Sequence, residues 1–217
     1  MVVNLSDQYS LLSDWIGELR DEEVQKDRMR FRRNLERIGE VMAYEISKEL
    51  PWEEQEIQTP LGTHSSKVLK QQPVLATILR AGIPLHYGML NFFDRADNAF
   101  ISAYRKHHRD GSFEIMLEYL SSPSLENRTL IVTDPMIATG ASLVQTIEAI
   151  KEEGKPLAIY VVCVIACTVG IEYLRREVGD DVHIWCADID DELTAKGYIV
   201  PGLGDAGDLA FGPKSQY

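Results

Sequence analysis

Cysteine is scarce in this chain, three residues in 217, and none stands in a CxxC pair or beside a histidine at metal-ligand spacing. Cys163, Cys167 and Cys186 lie inside apolar stretches, so they read as reduced core residues rather than a disulfide framework. Long apolar runs are missing too. The longest, LAIYVVCVIAC at 157–167, is β-branched and well short of the roughly 18 residues that a membrane helix needs. The opening MVVNLSDQYS lacks the basic and apolar regions of a secretory signal, so a cytoplasmic protein with no membrane contact is expected. Positive charge is in deficit: 22 Lys and Arg face 34 Asp and Glu, a net charge of −12. Such a balance disfavours a protein that holds nucleic-acid phosphates, so no nucleic-acid partner is expected and any phosphate site must be local. Two common phosphate motifs are absent. No lysine follows Gly140 as a P-loop requires, and GxGxxG does not occur.

What is present is the composition of a globular protein, 45% hydrophobic and 26% charged, at a length that suits one domain over residues 1–217. Phe31, Leu35, Ile38, Met42, Ile46 and Leu50 recur at steps of three and four, which predicts an amphipathic N-terminal helix within residues 20–50, ended by Pro51. The basic run DRMRFRR inside it is interleaved with acids and reads as a solvated face or a subunit interface. From 73 to 189, strand-like and helix-like stretches alternate. PVLATIL, AFISAY, LIVT, LAIYVVCVIAC and VHIWCADI read as strands, with helices over IPLHYGMLNFF, about 140–153, and VGIEYLRREV. Residues 105–122 place a polar Asp110-Gly111 turn between two strand-like arms, a projecting hairpin able to act as a lid. The pattern predicts an α/β protein with an open, mostly parallel, doubly wound sheet. Ligands of such sheets bind beyond the carboxyl ends of the strands.

The loops at those ends are therefore the candidates. In TDPMIATGAS, Asp134 stands where a strand ends, and Thr139, Gly140, Ala141 and Ser142 open a helix. Backbone N–H groups at a helix start, with hydroxyls beside them, favour an anion, and a carboxylate in that place suits ribose hydroxyls. Together they suggest a ribose 5-phosphate moiety. His107 and His108 read as part of an exposed turn, and the acids of DIDDEL lack the spacing of a calcium loop.

ILRAG (78–82), YR (104–105), DPMIATGAS (134–142) and GYIVPGLGDAGDLAFG (197–212) occur in the order and approximate spacing of uracil phosphoribosyltransferases. The chain resembles that family from about Leu19 to Gly212, with LRD, FR and YE near the N-terminus as weaker matches. The resemblance implies the type I phosphoribosyltransferase fold and a glycine-rich C-terminal segment that binds the base. It implies transfer of phosphoribose from 5-phosphoribosyl 1-diphosphate to N1 of uracil, giving UMP and diphosphate, with Mg²⁺ carried in on the diphosphate and the protein itself contributing no metal site. By similarity Arg80, Arg105 and Asp134 are the catalytic residues. Arg80 and Arg105 would hold the diphosphate and Asp134 the ribose. Pro135, Met136, Ile137, Ala138, Thr139, Gly140, Ala141 and Ser142 would cradle the 5-phosphate.

Tyr198 would flank the sugar, and Asp205 would touch the ribose or the Mg²⁺-bound substrate. Tyr198, Ile199, Gly204, Asp205 and Ala206 would bind uracil, where backbone groups around Ile199, Gly204 and Ala206 can match O2, N3–H and O4. At least a homodimer is implied. The chain departs from the usual pattern at Ala141, where a second glycine is common, and in IPLHYG and RKHHRDG. Two other readings are open on the sequence: transfer to orotate or a purine, and a pyrimidine-responsive RNA-binding regulator on the same fold.

Overall fold

In the computed structural model the described residues are 1–107, 113–179 and 182–214, with 103–107 and 113–117 described by their backbone alone. A short strand, β1 (Val2–Asn4), leads to two helices where the periodicity predicts one: α1 (Leu11–Arg20) and α2 (Arg28–Ser47). The break has a local cause. Asp27, which reads as one more charge in a basic run, accepts hydrogen bonds from the amides of Met29 and Arg30 and so starts α2 afresh. The predicted helix is thus corrected to begin at Arg28 and to end at Ser47, before Pro51, although Leu50 remains buried. Phe31, Leu35, Ile38, Met42 and Ile46 form the buried stripe of α2, each such side chain worth roughly 1.5–3 kcal/mol.

A hairpin of β2 (Trp52–Thr59) and β3 (Gly62–Leu69) follows and forms a two-stranded sheet of its own. Then come β4 (Val74–Leu79), α3 (Ile83–Phe92), β5 (Asp97–His107), β6 (Phe113–Ser121), β7 (Thr129–Thr133), β8 (Met136–Ile137) and α4 (Ala141–Ile150). The chain continues through β9 (Ala158–Cys167), α5 (Thr168–Val178), β10 (His183–Asp190), β11 (Glu192–Leu193), β12 (Ile199–Val200) and α6 (Ala206–Phe211). Arg105 therefore belongs to β5, which pairs with β4 lower down and with β6 above; the turn with Asp110 and Gly111, like His108, lies outside the described residues.

The main sheet runs β1-β10-β9-β7-β4-β5-β6, with β8 also paired to β9. Every pairing in it is parallel except β5 with β6. Its central strands β4, β7 and β9 read as nearly unbroken apolar runs because both faces are covered. Ile131 packs toward α1, α2, α3 and α6, while its neighbours Leu130 and Val132 pack toward α4 and α5. Two glycines set how closely α2 and α3 cross: a Cβ on Gly39 would overlap the Leu85 carbonyl, and one on Gly88 would overlap that of Glu36. All three cysteines are buried and free. Among the described residues no helix is long and apolar enough to cross a membrane.

Candidate active site

The strand order reverses beside β4. From β4 the chain moves to β5 on one side, and when it returns it lays β7 on the other and continues outward to β9 and β10. The loops after β4 and β7 thus lead to helices on opposite faces of the sheet, α3 and α4, the arrangement that marks the ligand-binding carboxyl edge of such sheets. Beneath it the two strands are laced together: Thr133 Oγ1 donates to the Ala76 carbonyl at 3.1 Å, and Thr77 Oγ1 to the Thr133 carbonyl at 3.5 Å. Both threonines are fully buried. The loop after β4 holds Arg80, Ala81 and Gly82. Gly82 sits so close to β7 that a Cβ would overlap Thr77 Oγ1 and crowd the Thr133 carbonyl, so only glycine lets this loop lie against its neighbour.

The loop after β7 is held from below. The Asp134 amide donates to the Val162 carbonyl at 3.1 Å, and the Met136 amide donates to Asp134 Oδ1 at 3.4 Å. The Pro135 carbonyl accepts from the amides of Val164 and Ile165, and β8 then pairs Met136 and Ile137 with β9. Ala138 and Thr139 carry the chain to Gly140, which starts α4 with φ 80° and ψ −14°. There glycine is required twice over, because a Cβ would also press on the Gly170 carbonyl at 2.7 Å. Gly170 in turn lets α5 reach the Ala138 carbonyl without overlap, so the loop is braced from behind. Ala141 is the first residue of α4, where a side chain is compatible with the backbone, and its amide donates to Thr139 Oγ1 at 3.4 Å. Ser142 follows in the same first turn, whose amides have no acceptors within the helix.

The C-terminal segment arrives from β10. β11 and β12 pair antiparallel, Leu193 with Ile199, and the turn between them is closed by Thr194, whose amide donates to the Tyr198 carbonyl at 2.8 Å. After a cis Val200–Pro201 peptide, Gly202 and Gly204 both take positive φ. Asp205 then caps α6, accepting from the Asp208 amide at 2.9 Å, with its other oxygen 3.8 Å from Lys214 Nζ. The sequence expectation of a base-lining segment therefore meets a defined shape: a small hairpin, a glycine turn and a one-and-a-half-turn helix. Ile199 and Ala206 are buried in the core, so what they can offer a ligand is backbone, while Tyr198 is half exposed.

These loops converge. Ala81 lies against Gly207, and Arg80 Nη2 reaches the Gly212 carbonyl at 3.2 Å and Asp208 Oδ1 at 3.5 Å. The Arg80 loop thus touches both the end of β7, through Gly82, and the stretch from Gly207 to Gly212. Arg105 is on β5, next to β4, with its backbone paired to Ile115; its side chain lies outside the described residues. The family model described as uracil phosphoribosyltransferase matches residues 6–213. The chain belongs to the uracil phosphoribosyltransferase family.

Its relatives include the uracil phosphoribosyltransferases of Porphyromonas gingivalis, 47% identical over 98% of this chain and 99% of theirs, and of Pyrococcus furiosus, 40% identical over 91% of this chain and 84% of theirs. A solved structure of the AQ2163 protein from Aquifex aeolicus covers all of both chains with a TM-score of 0.88 at 28% identity.

Around this family's loops stand residues that sequence reasoning did not single out. Arg20, at the end of α1, forms ion pairs with Asp188 and Asp190 at 2.8 Å each and also donates to the Gly202 carbonyl. Burial opposes the charge on Arg20, but the hydrogen bonds it donates to Asp190 and Asp188 outweigh it and hold the guanidinium above its ordinary pKa. Arg32 donates to the Ala210 carbonyl at 2.7 Å, so part of the DRMRFRR run braces α6. Its neighbour Arg30 pairs with Glu18, and Arg33 with Glu36, as the reading of a solvated face expects. Under Asp134, Cys163 lies 3.4 Å from Cys186, and burial pushes its thiol well up, with Cys186 and Asp134 adding to the effect. The only sequence signals for Arg20 are the weak LRD match and the acids of DIDD, some 170 positions away.

Proposed function

We propose that this family member transfers phosphoribose from 5-phosphoribosyl 1-diphosphate, bound as its Mg²⁺ complex, to N1 of uracil, in the pathway class that salvages a free pyrimidine. The bond from C1 of the sugar to diphosphate breaks, the N1–C1 bond forms, and N1 gives up its proton. Catalysis of this kind rests on alignment, on stabilising the departing charge and on keeping water out. Arg80 and Arg105 hold the diphosphate, for which a guanidinium fork that stays charged is suited. Asp134 takes the ribose hydroxyls. The stretch Pro135, Met136, Ile137, Ala138, Thr139, Gly140, Ala141 and Ser142 cradles the 5-phosphate at the start of α4. Tyr198 flanks the sugar, and Asp205 meets the ribose or the Mg²⁺-bound diphosphate.

Uracil lies against main-chain groups at Ile199, Gly204 and Ala206. A base with a different pattern of donors and acceptors would leave buried groups there unpaired. The observation that supports this reading is the contact of the Arg80 loop with the C-terminal segment, in which Arg80 reaches Asp208 and the Gly212 carbonyl. We further propose a cytoplasmic setting, supported by three free buried cysteines. At least a homodimer is supported by the β2/β3 hairpin, in which no residue is buried and most are exposed, Trp52 and Ile57 included. A two-stranded hairpin is marginal alone and gains from packing against a second copy.

The test is a competition. The protein is given Mg²⁺, 5-phosphoribosyl 1-diphosphate and equal amounts of uracil, orotate and hypoxanthine, and the nucleotides are separated. UMP as the dominant product is expected; a preference for the orotate or hypoxanthine product, or no nucleotide, overturns the reading.

A further inference from the structure

The turn between β12 and α6 is held from outside the segment it belongs to. Arg20 Nη1 donates to the Gly202 carbonyl at 2.9 Å and to Asp190 Oδ2 at 2.8 Å, and the same Asp190 oxygen accepts the Gly202 amide at 2.9 Å. One ion pair therefore occupies both main-chain polar groups of a single glycine. The second arm of the guanidinium donates to Asp190 Oδ1 at 2.9 Å and Asp188 Oδ2 at 2.8 Å, and Asp188 Oδ1 is itself fixed by the Ser6 hydroxyl at 2.8 Å. The Arg20 and Asp190 side chains are only 19% and 7% exposed, so this fork is not a solvated surface contact.

The turn has no slack. Gly202 takes φ 57°, and a Cβ on it would overlap the Ile199 carbonyl, so Ile199 and Gly202 are folded directly onto each other. On one side of this turn is Ile199 and on the other, after buried Leu203, is Gly204, two of the main-chain groups assigned above to the base. Any movement of Gly202 displaces those groups relative to each other. A buried ion pair is a poor source of net stability, since desolvation offsets most of its attraction, and its best-attested use is to fix register.

We propose that Arg20 is a positioning residue for base recognition: through Asp190 and the main chain of Gly202 it sets the spacing between the Ile199 and Gly204–Ala206 backbone edges. The inference rests on the function proposed above. Arg20 does not touch the base; it acts through Asp190 and Gly202. Lysine cannot replace it, because a single ammonium cannot reach Asp188, Asp190 and the Gly202 carbonyl as the planar fork does.

The test compares wild type with Arg20→Lys, Arg20→Ala and Asp190→Asn, measuring KM for uracil and for 5-phosphoribosyl 1-diphosphate separately, the ratio of product from uracil to product from cytosine, and thermal melting of each protein. Loss of one aligned hydrogen bond corresponds to about tenfold. Arg20→Lys and Asp190→Asn should raise the uracil KM by about tenfold and lower the uracil preference, while KM for the sugar diphosphate stays within about twofold. Arg20→Ala should do the same more strongly where it folds; the two milder variants carry the test where it does not. A lower melting temperature with both KM values unmoved, or with both raised equally, overturns the inference and leaves a purely structural role. Wild type that forms no UMP overturns the function proposal, and this with it; active wild type with an unmoved uracil KM in the variants overturns this inference alone.

Discussion

Arg80 Nη2 donates to the main-chain carbonyl of Gly212 at 3.2 Å, joining the loop after β4 to the end of the segment that follows β12. The guanidinium is 40% exposed, open enough to serve a ligand while anchored on one side. The same arginine therefore links the two segments to which the proposed function gives the diphosphate and the base.

Arg80→Ala should lower turnover by on the order of 10²-fold, the usual loss when a donor aimed at developing charge is removed. Because the side chain is far from fully buried, far-UV circular dichroism should be unchanged. Steady-state kinetics with uracil checks this, and near-normal kcat would contradict the role given to Arg80.

Two small residues around the loop after β7, Gly170 behind it in α5 and Ala141 at the start of α4, should behave oppositely. Gly170→Ala drives a Cβ into the Ala138 carbonyl, so it should raise KM for 5-phosphoribosyl 1-diphosphate and destabilise the fold by roughly 1–3 kcal/mol. Ala141→Gly keeps the helix start and should cost no more than about 1 kcal/mol of stability, with little change in that KM. Urea unfolding and initial rates on both variants give the comparison.

Glu18 couples α1 to α2. Hydrogen bonds from Arg30 and then Asn34, against some desolvation, lower its pKa from the ordinary 4.5 to about 2. Its carboxylate is depressed in the folded state, so its contribution is present above pH 4.5 and is lost as pH falls toward 2. Glu18→Gln should therefore be less stable than wild type at neutral pH, with the gap closing between pH 4.5 and 2. Urea midpoints across that range check the sign; a gap that stays constant contradicts it.

Removing residues 54–67 of the β2/β3 hairpin should release monomers while the rest of the fold persists, since these residues pair with each other and not with the main sheet. Sedimentation velocity reads this directly. A variant that sediments as the same species as wild type, or a wild type that is already monomeric, would contradict the proposed hairpin contact.

Positions set by near neighbours were readable from the chain. Asp134 and Gly140 sit at a strand end and a helix start, and the chemistry of each place follows from its neighbours. The unbroken apolar runs announced a sheet covered on both faces, as Leu130, Ile131 and Val132 now show by alternating between two cores. The β2/β3 hairpin was not legible, because WEEQEIQT has almost no apolar face to betray its period. Nor was the Asp27 cap, which looks like charge until its carboxylate is seen on two amides. The Arg20 fork was hidden for a different reason. Its partners lie some 170 residues downstream, and only the parallel stacking of β1 and β10 at the sheet edge, with α1 beside them, brings the two together.

The most direct measurement is a crystal structure of the protein with UMP. The account predicts the 5-phosphate on the amides at the start of α4, the ribose at Asp134, and the uracil ring against the main chain of Ile199, Gly204 and Ala206. A nucleotide bound away from the loops after β4 and β7, or a base read by side chains instead of by that backbone, would contradict it.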